Sequence, residues 1–199
     1  MITTTINELK LYVMWPEFWD TLLSHLKINY GDDTPISIQS IIENNGIADA
    51  LYILGRHSEH SKKLCLAYAA DCAEHVLPIW VKIYPRDDRP VLAIHAVRDV
   101  VNCPAYALQS PQLTGDTSFV LSAALSAKKA AECAVEHSNF KAAKAALSAT
   151  NAAYAAAYVS NVGNGATEAM VRASEAADDC QSESMWQRAH LLKLLEDAT

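Results

Sequence analysis

Four positions in the first half of the chain have the types and spacing for metal chemistry. His57 and His60 are three residues apart, and Asp71 and His75 are one helical turn apart. A carboxylate and an imidazole at i,i+4 share a helix face, and that donor set suits zinc or iron. The pattern lacks the HExxH order, the EF-hand acids and the cysteine pair that define the common motifs. His57 and His60 stand beside a helix start, where water solvates them. The reading for Asp71 and His75 is a polar pair along one helix, so neither a metal nor a cofactor is expected.

Other chemistries find less support. There is no GxSxG and no cysteine in a glycine-flanked turn. Cys72 follows Tyr68 by four residues inside an apolar helix, where a thiol is inert. Gly163-Asn164-Gly165 lacks the Lys-Ser or Lys-Thr and the preceding strand of a phosphate loop, and reads as a helix C-cap. In Asp87-Asp88-Arg89-Pro90 two carboxylates adjoin, but sequence neighbours rarely face one atom. One is needed as an N-cap, and the other pairs with Arg86 or Arg89, or meets a partner. No catalytic residue is expected. Asp87, Asp88, Asp178 and Asp179 are the candidate partner-binding acids. A buried ion pair between Arg98 and Asp71 would tie two helices, making Asp71, Pro78, Pro90 and Arg98 a structural joint.

The elements that must hold these residues read as helices throughout. Pro16 and Glu17 open a helix over 16–28 whose apolar face is Phe18, Trp19, Leu22, Leu23 and Leu26. Thr34-Pro35 starts another that Asn45-Gly46 ends, and a short one follows over 47–54. Residues 58–77 form a longer helix, which Pro78 kinks or restarts. The β-branched and aromatic run 79–84 is read as helix because helical signals flank it. Val91–Val101 is helical after Pro90. Residues 104–117 hold two prolines and Gly115, the signature of a loop or linker. From Ser118 onward alanine fills more than a quarter of the positions and proline is absent. Four helical blocks follow, with breaks near Ser138-Asn139, Gly163–Gly165 and Gln181-Ser182. Their sparse bulky residues (Leu125, Phe140, Leu147, Tyr154, Tyr158, Met170, Trp186, Leu191) are expected to supply the packing contacts.

The prediction is therefore an all-α, multi-helix array with an Ala-rich C-terminal half, about seven to nine helices and under about 5% strand. Residues 1–103 form an N-terminal helical region, 104–117 a loop, and 118–199 an Ala-rich region packed with the first as one unit.

Composition narrows the functional classes. Of 199 residues 51% are hydrophobic, enough for a core, and 16 basic against 23 acidic residues leave a net charge of −7. Sequence-independent nucleic-acid binding runs on a basic surface, so direct nucleic-acid contact is not expected. The acids come in scattered pairs such as Asp32-Asp33 and read as solubility charge. Mean hydropathy is near zero. No 18-residue apolar run suggests a membrane span, and MITTTINELK lacks the pattern of a signal peptide. The five cysteines (Cys65, Cys72, Cys103, Cys133, Cys180) are odd in number and form no CxxC, which points to a reducing cytoplasm.

One block is specific enough to suggest kinship. Asp71-Cys72-Ala73-Glu74-His75-Val76-Leu77-Pro78, followed by Tyr84-Pro85, Asp87-Asp88-Arg89-Pro90, Ala93-Ile94, Ala96 and Arg98, resembles the immunity-protein family of bacterial polymorphic toxin systems and phages, the Imm-5-like group. The resemblance covers residues 60–199, Ala-rich tail included. Upstream, DDTPISIQSIIENNGIADAL is similar to the start of phage-borne relatives, with Ala48 where those carry an acid. The resemblance implies a non-enzymatic inhibitor that neutralises a toxin or effector by masking its surface. A phage-encoded inhibitor of a host defence complex is the alternative, and a metal-dependent enzyme a distant third. The implied partner is a protein, and self-association is compatible with it. No family catalytic residues carry over.

Overall fold

Residues 2–13, 15–26, 33–102, 118–158 and 161–198 are described by the structure, a computed structural model. Helix α5 (Glu59–Ile83) organises it. The Ser58 hydroxyl caps its start by accepting from Ser61 N. From Leu64 to Ala73 nearly every residue is buried, the pattern of a helix surrounded by others. Among the described residues this is the helix apolar and long enough to cross a membrane by composition, yet 56% of its apolar window is buried within the fold. The helix runs on through Pro78, so the run 79–83 is helical, as expected. Pro78 and Glu74, whose carbonyl loses its donor to the proline, are both exposed, so water can satisfy that carbonyl.

Around α5 pack α6 (Arg89–Asn102), α8 (Phe140–Ala157) and α9 (Val162–Ala176), with α7 (Ser118–Glu136) against α6 and α8. Alanine favours the helix and leaves thin walls, so axes approach closely. Ten of the twelve buried residues of α8 are alanine; the others, Ser148 and Thr150, satisfy their hydroxyls on the Ala169 and Ala146 carbonyls. The expected packing by bulky residues holds in part: Leu147, Tyr154, Met170 and Trp186 pack against the core and Leu191 lies within it. Leu125, Phe140 and Tyr158 are exposed, and of the eight only Leu191 is fully buried. The alanine faces also pack on one another and on α5.

The N-terminal segment adds β1 (Thr3–Thr4), α1 (Ile6–Leu9), α2 (Pro16–Leu26), β2 (Ile36–Ser37), α3 (Ile38–Asn44) and α4 (Ile47–His57); α10 (Cys180–Asp197) closes the chain. The strands pair antiparallel, Thr3 opposite Ser37 and Thr4 opposite Ile36. Gly46, at φ +96°, makes the turn from α3 into α4. One hydrophobic cluster runs from Ile6 to Leu195, through both halves of the chain.

The fold is all-α, with 83% of the described residues helical. Ten helices occur among them, rather than seven to nine. The unforeseen one, α1, carries a capping box: Thr5 Oγ1 accepts from Glu8 N and Glu8 Oε2 accepts from Thr5 N. Two breaks fall earlier than expected. Helix α9 begins at Val162, so Gly163 and Gly165 lie inside it rather than capping a helix. A Cβ on Gly163 would stand 2.5 Å from Leu51 O, and one on Gly55 would stand 2.4 Å from Gly163 N. The glycine is there for backbone contact between α4 and α9. The last break lies at 177–179, with Asp179 as the N-cap of α10. The expected 104–117 linker and Cys103 lie outside the described residues.

Candidate functional site

Helix α10 meets α5 through polar and aromatic groups, and Asp71, His75 and Arg98 converge there. On α5, Asp71 accepts through Oδ1 from Arg98 Nη2 at 2.5 Å, while His190 Nε2 of α10 lies 2.6 Å from its Oδ2. One turn on, His75 Nδ1 lies 2.8 Å from Glu183 Oε2. Ionised carboxylates only accept, so both ring nitrogens donate. The predicted Asp71–His75 pair is thus replaced by two separate bonds to α10. Trp186 sits between the imidazoles, 3.8 Å from the His75 ring and 4.9 Å from that of His190, nearly parallel to both. Buried Gln187 donates to Glu183 Oε1 and Met170 O and accepts from Ser174, and Tyr68 donates its hydroxyl to Gln187 O.

Arg98 reaches from α6 to both Asp71 and Glu74. Desolvation alone would lower its pKa, but the Glu74 and Asp71 carboxylates outweigh it and hold the guanidinium above its usual value. The pair is less enclosed than the expected buried one: the side chains are 30% and 19% exposed. The arrangement can lock three helices, α5, α6 and α10. The nearest thiol, Cys72, is buried, and burial pushes its pKa up, as it does that of Tyr68. His57 and His60 are exposed and do not join the group. Among the described residues no cluster of three or more His, Cys, Asp or Glu is placed to hold a metal ion.

The four candidate partner-binding acids stand near the bundle end where α5 finishes and α8 begins. Asp87 is bound by Arg89 Nε and Nη2 at 2.8 and 2.6 Å, which holds its carboxyl below the usual range. The Trp80 indole donates to Asp87 O, and Pro90 is buried beneath the turn. Asp178 bonds Lys141 of α8, the main cause of its lowered pKa. Asp179 caps α10, accepting from Gln181 N, Ser182 N and Ser182 Oγ. Asp88 is exposed and contributes its backbone carbonyl to the start of α6. Three of the four carboxylates are therefore already bonded to groups of the chain itself, Asp178 and Asp179 at the surface.

Two open troughs lie elsewhere and meet at Ala48. The first, about 440 Å³, runs between α4 and α9 and is lined by Trp15, Asp49, Tyr52, Asn164, Thr167 and Glu168. The Gly55–Gly163 contact sets the two helices side by side. Tyr52 is fixed: its hydroxyl donates to Tyr12 O at 2.9 Å, Trp15 meets it edge-on at 4.5 Å, and the Arg56 guanidinium lies 3.5 Å from its ring centroid. Burial raises the Asp49 carboxyl above its ordinary pKa, more than a hydrogen bond from Asn45 lowers it. The second trough, about 520 Å³ and mainly apolar, includes Ile47, Met170, Met185 and Arg188.

Sequence reasoning did not single out the trough residues, because Trp15, Asp49 and Glu168 carry no local motif. The α10 stripe was more visible: Glu183, Trp186, Gln187 and His190 recur at helical spacing, a polar face that an ordinary amphipathic helix would not bury. No protein-family model matches the chain, and neither the curated proteins nor the solved structures contain a match.

Proposed function

We propose that this chain is a non-enzymatic, cytoplasmic protein-binding inhibitor that acts by covering a surface of another protein, as expected of an immunity protein. The observation that supports it best is the pair of adjoining open troughs. Together they offer two aromatic rings in edge-on contact, one of them anchored by a hydrogen bond, with two carboxylates and exposed methionine, the composition of a recognition surface. The ionisable groups with potential for chemistry, by contrast, join helices to one another. A net charge of −7 favours a basic partner, through steering and charge complementarity. A toxin domain and a host defence complex would be bound by the same physics.

The test is affinity capture from the native host, then titration of the captured target's activity with purified protein. Inhibition should be complete at a fixed, near-stoichiometric ratio. Inhibition at far lower ratios, or turnover together with a stoichiometric bound metal, would make the chain an enzyme.

A further inference from the structure

We infer that the α4–α9 trough is the seat for an arginine side chain presented by the partner protein. This rests on the protein-binding reading above and names the chemistry of its contact. The trough sets a carboxylate on each of two neighbouring helices, Asp49 on α4 and Glu168 on α9, beside the rings of Trp15 and Tyr52. A guanidinium is planar and weakly hydrated, so it can lie against an aromatic wall while its edges donate to carboxylates. An alkylammonium is a strongly hydrated point charge and uses only half of that chemistry. The Tyr52 ring already carries a guanidinium from within the chain: Arg56 stacks on it at 3.5 Å and donates to Tyr52 O.

Neither carboxylate is well neutralised in the fold. Among the described residues Asp49 forms no ion pair, and its hydrogen-bond partner is the neutral Asn45. Glu168 has Arg172 at 3.5 Å, but that guanidinium binds Glu175 more closely, at 2.7 Å. Burial already disfavours the charged form of Asp49, so an incoming cation relieves a cost that the free protein bears. The apolar trough beyond Ala48 continues the surface toward Met170 and Met185, where an apolar neighbour of the arginine would lie.

The experiment uses the full chain and two probes, Nα-acetyl-arginine amide and its neutral isostere, Nα-acetyl-citrulline amide. The readout is the Trp15 indole N–H resonance, assigned with a Trp15→Phe variant. The arginine probe should shift it saturably, with an affinity at least about tenfold higher than that of citrulline. Asp49→Asn should abolish the difference while leaving the protein at least as thermally stable at neutral pH. Glu168→Gln should weaken binding without moving the melting temperature appreciably. Lowering the pH through the raised Asp49 pKa should release the probe. An equal response to both probes, or no saturable shift with arginine, overturns the inference. Partner capture separates the two proposals. A complex of unchanged affinity with the Asp49→Asn and Glu168→Gln variants defeats the arginine seat alone, whereas failure of the wild type to form any stoichiometric complex defeats the protein-binding reading.

Discussion

Arg98 donates to two carboxylates one turn apart on α5, whereas the hydrogen bonds of Arg172 stay on its own helix, to Glu168 and Glu175. Removing Arg98 leaves Asp71 partly enclosed with only His190 beside it. A charge-assisted bond in such a setting is worth about 1.5–3 kcal/mol, an exposed pair about 0–1 kcal/mol. Arg98→Ala should therefore lower the melting temperature clearly more than Arg172→Ala; equal losses in thermal denaturation would show that the α5–α6 bridge is energetically idle. Gly163 tests a different force. In an open helix Gly→Ala gains about 1 kcal/mol. Here the new methyl meets the Leu51 carbonyl at 2.5 Å, and backbone cannot step aside cheaply. Gly163→Ala should instead destabilise by about 1–3 kcal/mol, and a stabilised variant in denaturant titration would mean that α4 and α9 stand further apart.

Among the helices, α10 is held in an unusual way. Its buried residues are Glu183, Gln187, Leu191 and Leu195, two polar and two apolar, whereas α8 buries twelve residues on three sides. Hydrogen bonds to α5 and the His75–Trp186–His190 stack supply much of its docking. Net hydrogen-bond energies are small, about 0.5–1.5 kcal/mol each, because water competes for the same groups. Helix α10 should thus open at lower free energy than the core. Native-state hydrogen exchange should show α10 amides exchanging through a partial opening while α8 amides exchange only with global unfolding. Identical exchange free energies in the two helices would show that α10 belongs to the same cooperative unit. The acid pairs illustrate the same division. Reversing the charge of Asp88 should leave the fold intact, but reversing Asp87 or Asp179 removes an Arg89 clamp or a helix cap.

Over the whole molecule, carboxylates pull stability in opposite directions with pH. Asp87, Glu175, Asp178 and Asp179 have folded pKa values below their ordinary ones. Their contribution is present above the ordinary carboxylate pKa and is lost as pH falls through the depressed folded values. Asp49 is the reverse: its folded pKa is raised, so it favours the folded state at acid pH and disfavours it once pH rises through the folded value. Asp49→Asn should accordingly melt higher than the wild type at pH 7, and the advantage should vanish below about pH 3.9, where the carboxyl is protonated in both states. A difference that persists unchanged into acid would assign the effect to packing rather than to charge.

Helix class and most boundaries were legible in the residues themselves, because they depend on forces that act within four residues. Ser58, Pro16 and the turn at Asn45-Gly46 mark ends, and alanine sets propensity. The Thr5–Glu8 box marks α1 by the same local rule. The proline and cap signals over 71–98 also placed Asp71 and Arg98 on adjoining helices. What local forces cannot set is the rotation and axial offset of one helix against another. Those follow from how alanine and glycine surfaces fit, and they decide that Asp71 meets His190, 119 residues away, and that His75 meets Glu183 rather than Asp71. The same packing moved Gly163 from the expected cap into an interface, and it drew Trp15, Asp49 and Glu168 to one trough.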